Sequence, residues 1–135
     1  LNYMLQKANK TLNQVDVQIN IPEDLYFNNF NICVILGNLV DNAVREASKS
    51  KEKLLTIKMQ IKQEVLLIFI ENSYSGKILE KRNGLQTTQP ELAIHGIGLE
   101  NVKKVVIANG GEIKIDYTSN RFCVQVLLYM SRIKN

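Results

Sequence analysis

With 135 residues, 45% of them hydrophobic and 22% charged, the chain fits one domain, long enough to bury a core without disulfide or metal staples. No apolar run approaches the length of a membrane span and no signal peptide is recognisable, so no part of this sequence calls for membrane contact. The net charge of +4 comes from dispersed lysines without interleaved aromatics, which argues against nucleic acid and for a solvated basic surface able to face an anionic ligand.

Leu1 to about Asn13 can form a first helix, after which Val15, Val17 and Ile19 alternate until Pro22 ends the run. A long helix is predicted from about Asn28 to Ser50. Its apolar stripe is Ile32, Ile35, Leu36, Leu39, Val40, Ala43, Val44 and Ala47. Leu55, Ile57, Met59 and Ile61 alternate against Thr56, Lys58, Gln60 and Lys62, as in a strand with one wet face. Gln63-Glu64 turns the chain into Val65 to Glu71, apolar on both faces and hence central in its sheet. Between Glu71 and His95 the patterning is lost, with Lys77, Lys81, Arg82, Gly84 and Pro90 in a long polar stretch. A stretch of this kind in a compact domain is either a functional lid or a disordered insertion. Its basic residues favour a mobile lid over residues 77–95, able to approach phosphate. A third helix opens at His95-Gly96-Ile97-Gly98-Leu99 and closes at Gly110-Gly111, and Glu112 to Thr118 pairs with Phe122 to Tyr129 through Ser119-Asn120. One sheet covered on one side by helices accounts for this order, a two-layer α/β sandwich. Cys33 and Cys123 lack ligand spacing and read as buried thiols of a reducing compartment.

The chemistry concentrates in Gly37 to Ala47. Asn38 and Asn42 share one face of the long helix, with Arg45 three residues further on and Asp41 at the edge. Taken singly, each Asn fits an ordinary helix surface. Two in phase cost roughly a kcal/mol relative to Ala, because the side chain competes with the backbone for hydrogen bonds. Together these groups can coordinate Mg²⁺ or hold phosphate oxygens. The Gly96-Ile97-Gly98 segment is by itself an ordinary loop-to-helix turn, yet free N–H groups at a helix start attract phosphate.

The segment NLVDNAVREA, from Asn38 to Ala47, resembles the N box of the GHKL ATP-binding superfamily, which includes gyrase, the Hsp90 chaperones, the mismatch-repair ATPases and histidine kinases. HGIGLENV, from His95 to Val102, resembles its second glycine box. Within that superfamily the sequence looks most like the catalytic and ATP-binding domain of Agr-type quorum-sensing sensor histidine kinases. The resemblance spans nearly the whole chain as one domain, residues 1–135, and implies a Bergerat-type fold: a mixed five-stranded sheet with three main helices on one face. It implies ATP and Mg²⁺ as cofactors, with Asn42 as the metal ligand, Asn38 one turn before it, and Arg45 neutralising phosphate charge. Asn72 falls where the family has the Asp that accepts from the adenine amino group, Tyr74 replaces the first glycine of that box and Gly76 keeps the second. His95, Gly96, Gly98 and Leu99 would border the phosphates.

The family's ATP hydrolases have a water-activating Glu at the place of Asn38. A carboxamide has no useful basicity, which points to phosphoryl transfer onto a protein side chain. His95 is the sole histidine and stands at the pocket edge, without the sequence context of the family's phosphoacceptor. The acceptor would therefore lie on a separate dimerisation domain of the same receptor, with a response regulator downstream. The resemblance places such a domain on the cytoplasmic side of a membrane-anchored receptor in a Gram-positive bacterium. Two other readings stand beside this one: an anti-sigma-type serine kinase, and a degenerate nucleotide-binding or interaction domain.

Overall fold

The computed structural model describes residues 2–22, 30–75 and 97–130. Among these, the elements run α1 (Asn2–Thr11), β1 (Gln14–Asn20), α2 (Phe30–Lys49), β2 (Leu54–Lys62), β3 (Val65–Ser73), α3 (Ile97–Ala108), β4 (Glu112–Tyr117) and β5 (Arg121–Tyr129). The expected lid at 77–95, with Gly76, His95 and Gly96, lies outside the described residues.

The strands form one five-stranded sheet in the order β1-β2-β3-β5-β4. Only β1 and β2 are parallel; the other neighbours are antiparallel, so the sheet is mixed as expected. Strand β3 is central, and period-two alternation sends Leu66, Ile68 and Ile70 to the same side as Leu55, Ile57 and Met59 of β2 and Phe122, Val124, Val126 and Leu128 of β5. Against this apolar face lie Ile32, Ile35, Leu36, Leu39, Val40, Ala43 and Ala47 of α2 and Leu99, Val102 and Val106 of α3. Ala8 and Leu12 complete the core from the α1 side. Burying such side chains contributes about 1.5–3 kcal/mol each, which outweighs the weak helix propensity of the Asn-bearing segment.

Two tight connections set the register. Gln63 and Glu64 both have positive φ, 53° and 64°, the combination that a two-residue hairpin needs to match strand twist. At the end of α3, Gly110 has φ 71°; its N–H donates to the Ile107 carbonyl and that of Gly111 to the Val106 carbonyl, both at 2.9 Å. This left-handed cap satisfies carbonyls that the helix itself cannot. Gly111 is constrained by space instead, since a Cβ there would stand 2.5 Å from the Leu127 carbonyl oxygen.

The cysteines depart from expectation. Cys33 is exposed, because α2 turns Ile32, Ile35 and Leu36 to the core and position 33 away from it. Cys123 is half-buried on the sheet face that carries no helix, opposite Glu71 and Asp116. Desolvation first, and the Glu71 carboxylate second, push its thiol up to about 11. Val17 and Ile19 alternate as expected, yet remain partly exposed on the edge strand β1.

Gly111→Ala is expected to destabilise by about 1–3 kcal/mol through overpacking, and Gly110→Ala by about 1–2 kcal/mol through its left-handed backbone; urea unfolding of both variants measures the two losses. For Cys123, an alkylation rate that keeps rising about tenfold per pH unit beyond pH 9, where an unhindered cysteine has levelled off, is the expected signature.

Candidate functional site

Helix α2 carries the centre of the site. Asn42 is only 4% exposed, in phase with Leu39 and Ala43 on the core side of the helix. Its Oδ1 accepts from the Arg45 guanidinium. Its Nδ2 is buried with no hydrogen-bond partner among the described residues. A buried donor left unpaired costs about 1–3 kcal/mol, so the fold holds this carboxamide at a loss. Arg45 also lies 3.8 Å from Asp41 in an exposed i,i+4 pair, which contributes little stability. Asn38 is not joined to Asn42: its Nδ2 turns back to the Val34 carbonyl at 3.0 Å, leaving its oxygen as the remaining acceptor. Glu46 is nearly buried and paired with Lys49 at 3.3 Å.

Asn72 sits at the end of β3 between Leu55 and Phe122, on the helix-covered side of the sheet and 2% exposed. Its Nδ2 donates to the Ser73 carbonyl at 2.9 Å. Gly98 lies in the first turn of α3, while the Leu99 side chain is 1% exposed and belongs to the core. Leu99 can therefore border a ligand through its backbone.

Sequence reasoning missed the framework that holds the end of β3. The Ser50 hydroxyl donates to the Ala47 carbonyl at 2.7 Å, which uses its one hydrogen. Ser73, whose other acceptor, the Leu54 carbonyl, is at 3.4 Å, then donates the 2.7 Å bond between the Ser50 and Ser73 hydroxyls. Ser73 Oγ in turn accepts the Leu54 N–H at 2.8 Å, and Ser50 Oγ accepts the Lys53 N–H at 3.1 Å. Tyr74, next along the chain, is 4% exposed. Its hydroxyl donates to the Thr118 carbonyl, and its ring meets Phe122 edge-on at 5.9 Å. Burial raises the pKa of this phenol, so it stays a donor throughout the neutral range. Arg121 forks onto both carboxylate oxygens of Glu52 at 2.7 and 2.9 Å, and those hydrogen bonds hold Glu52 below the usual carboxylate value. Scattered serines give no sequence signal for such a network; Tyr74 gave one, as a glycine replaced.

A groove of about 540 Å³ lies elsewhere, on the uncovered sheet face, lined by residues that include Lys58, Phe69 and Gln125. It shares no residue with the Asn pair. Among the described residues no cluster of three or more His, Cys, Asp or Glu could hold a metal ion. A carboxamide oxygen already facing a cationic group fits Mg²⁺ through a single protein ligand, the usual economy of a site where phosphates supply the rest.

The family model of the GHKL domain matches residues 27–129 of this chain. Among solved structures, the histidine kinase domain of the blue-light activated histidine kinase from Erythrobacter litoralis EL346 is 16% identical with a TM-score of 0.64, covering 96% of this chain and 60% of that one. The Acinetobacter baumannii histidine kinase AdeS is 16% identical with a TM-score of 0.59, covering 96% of this chain and 64% of that one. At this identity the likeness is one of fold, and the chain spans about three fifths of each of these structures. None of the curated proteins matches.

Ser73→Ala removes the acceptor of the Leu54 N–H and a donor to Ser50, and is expected to cost about 1–3 kcal/mol in denaturant unfolding. The Glu52–Arg121 clip should show the acid sign. With the folded carboxylate pKa depressed, its stabilisation is present above the unfolded value and is lost as pH falls through the folded one. Glu52→Gln should flatten the acid limb of the stability profile and leave the limb above pH 7 unchanged in slope.

Proposed function

This chain belongs to the GHKL domain family, and on that premise we propose that it is the ATP-binding catalytic domain of a sensor histidine kinase, transferring the γ-phosphoryl group of ATP to a histidine on a separate dimerisation domain of the same receptor. The observation that carries the reading is Asn42: a buried carboxamide whose NH₂ has no partner among the described residues and whose oxygen is already set against a guanidinium. This half-satisfied carboxamide stands at the residue where the N box resemblance puts the Mg²⁺ ligand.

Asn42 would hold Mg²⁺ through its Oδ1, and the ion's chemistry there would be charge neutralisation for the phosphates. Arg45 would release the Asn42 oxygen and move to a phosphate oxygen, a short reach for a half-exposed side chain. Asn72 would accept from the adenine amino group. Asn38, a carboxamide bonded back to its own helix, has no basicity with which to deprotonate water. The bound triphosphate is then protected from hydrolysis and kept for an incoming imidazole. Gly98 and the start of α3 offer backbone N–H groups to phosphate, with Gly76, His95, Gly96 and the lid completing the pocket. We further assign the receptor to the Agr-type quorum-sensing class, on the Asn72-Ser73-Tyr74-Ser75-Gly76 departure from the Asp-and-glycine box. In that class the domain works on the cytoplasmic side of a membrane-anchored receptor, and a response regulator takes the phosphoryl group onward.

Calorimetry with Mg²⁺-ATP is expected to give binding that EDTA weakens, and Asn42→Ala should lose at least about tenfold in Mg²⁺-dependent affinity. With a separately made dimerisation fragment and γ-labelled ATP, an acid-labile product supports histidine transfer, whereas an acid-stable one points to a serine kinase. Asn38→Glu should bind ATP and release phosphate faster, toward the 10²–10⁴-fold typical of a placed general base. Wild type and Asn42→Ala binding Mg²⁺-ATP equally would sink the assignment.

A further inference from the structure

The direction in which Asn72 points its carboxamide is settled by its neighbours. A carbonyl can only accept, so the 2.9 Å bond from Asn72 Nδ2 to Ser73 O makes that end the NH₂ and turns Oδ1 away from Ser73. The same trans peptide that carries the Ser73 carbonyl carries the Tyr74 N–H on its opposite side. That N–H donates to the Asn120 carbonyl at 3.2 Å. The peptide is thus held by the β4–β5 turn, and it holds Asn72 in turn. Tyr74 adds a second tie through its hydroxyl on the Thr118 carbonyl and its ring on Phe122. Thr118 closes the turn: its Oγ1 accepts the N–H groups of Asn120 and Arg121 at 3.4 and 3.1 Å, and its own N–H donates to the Arg121 carbonyl at 2.9 Å.

We propose that Tyr74 is a positioning residue for base selection, fixing the Ser73–Tyr74 peptide on the β4–β5 turn so that Asn72 presents its oxygen alone and accepts from a 6-amino purine while rejecting a 6-oxo purine. The proposal rests on the nucleotide-binding reading above. An unrestrained Asn is an ambiguous reader, because half a turn of its amide exchanges acceptor for donor and welcomes a 6-oxo group. A carboxylate accepts through either oxygen and needs no such restraint. The neutral reader and the replacement of glycine by a side chain anchored at hydroxyl and ring are therefore one adaptation: glycine would keep only the single 3.2 Å backbone bond to Asn120 and lose both side-chain ties that stiffen the peptide, and with it the amide. The same geometry makes the reverse substitution unfavourable. In Asn72→Asp an oxygen would face the Ser73 carbonyl, and the two would repel until the peptide is released.

Titration calorimetry with Mg²⁺-ATP and Mg²⁺-inosine triphosphate, which differ at the purine 6-position, tests this. Wild type is expected to prefer ATP by about tenfold or more, the worth of one satisfied against one opposed hydrogen bond. Tyr74→Gly should bring the two within about threefold. Thr118→Ala, which leaves the buried ring in place and loosens the turn, should shift the preference the same way and decides the matter if Tyr74→Gly does not fold. Asn72→Asp should weaken ATP binding, and adding Tyr74→Gly to it should restore part of the loss, a reversal that simple destabilisation does not produce. Wild type that binds ATP, with variants that keep its preference, overturns the lock and leaves the nucleotide reading standing. Wild type that binds neither nucleotide overturns both.

Discussion

The structure depends on placing polar carboxamides inside an apolar interface between helices and sheet. Asn42 and Asn72 both lie on the buried side of their elements, in phase with Leu39 and Ala43 on one and with Ile68 and Ile70 on the other. Neither could stay there through its own energetics, since a buried amide loses its water without a full set of partners. They are kept in place because the apolar residues in phase with them, Leu39 and Ala43 on α2 and Ile68 and Ile70 on β3, fix which face of each element meets the core. The cost is local and the compensation is spread over the whole core.

The two carboxamides also share a frame. Asn42 rides on α2, which Ser50 directly follows; the Ser50 hydroxyl receives that of Ser73, the neighbour of Asn72. The start of β2 joins through the Leu54 N–H, and the β4–β5 turn joins through Tyr74 and through Arg121 on Glu52. Two connections of the chain, α2–β2 and β4–β5, thus meet at the end of β3. Buried hydroxyl and amide networks of this kind add little net energy when satisfied, yet they cost much when one member is lost. Such a network fixes the position of the site more than it raises the stability of the fold. The uncovered sheet face, by contrast, bears the raised Cys123 thiol and a groove unconnected to this frame.

Periodicity along the chain was sufficient for the elements. The 3.6-residue stripe from Ile32 to Ala47, the strict alternation from Leu55 to Ile61 and the doubly apolar run from Val65 all report on burial, and burial on one face is what a helix or strand is selected for. The alternation misled only at the edges: Val17 and Ile19 show the pattern on a strand too peripheral to be covered, and Cys33 sits in an apolar helix on the side turned from the core. The carboxamides of Asn38 and Asn42 stood out because polar side chains at helical spacing within such a stripe are locally unfavourable.

Residue order by itself thus determined the two layers, the sequence of elements and the polar residues that break the apolar pattern, because each of these is written in neighbours a few positions apart. The mixed, five-stranded character of the sheet came from family likeness, and the coordinates alone decided the strand order and what each polar group is bonded to. Ser50 meets Ser73 across 23 positions, Tyr74 meets Thr118 across 44, and Glu52 meets Arg121 across 69. Hydrogen bonds act over about 3 Å and are indifferent to separation along the chain, so the orientation of Asn72 exists only once the sheet has brought the β4–β5 turn beside it.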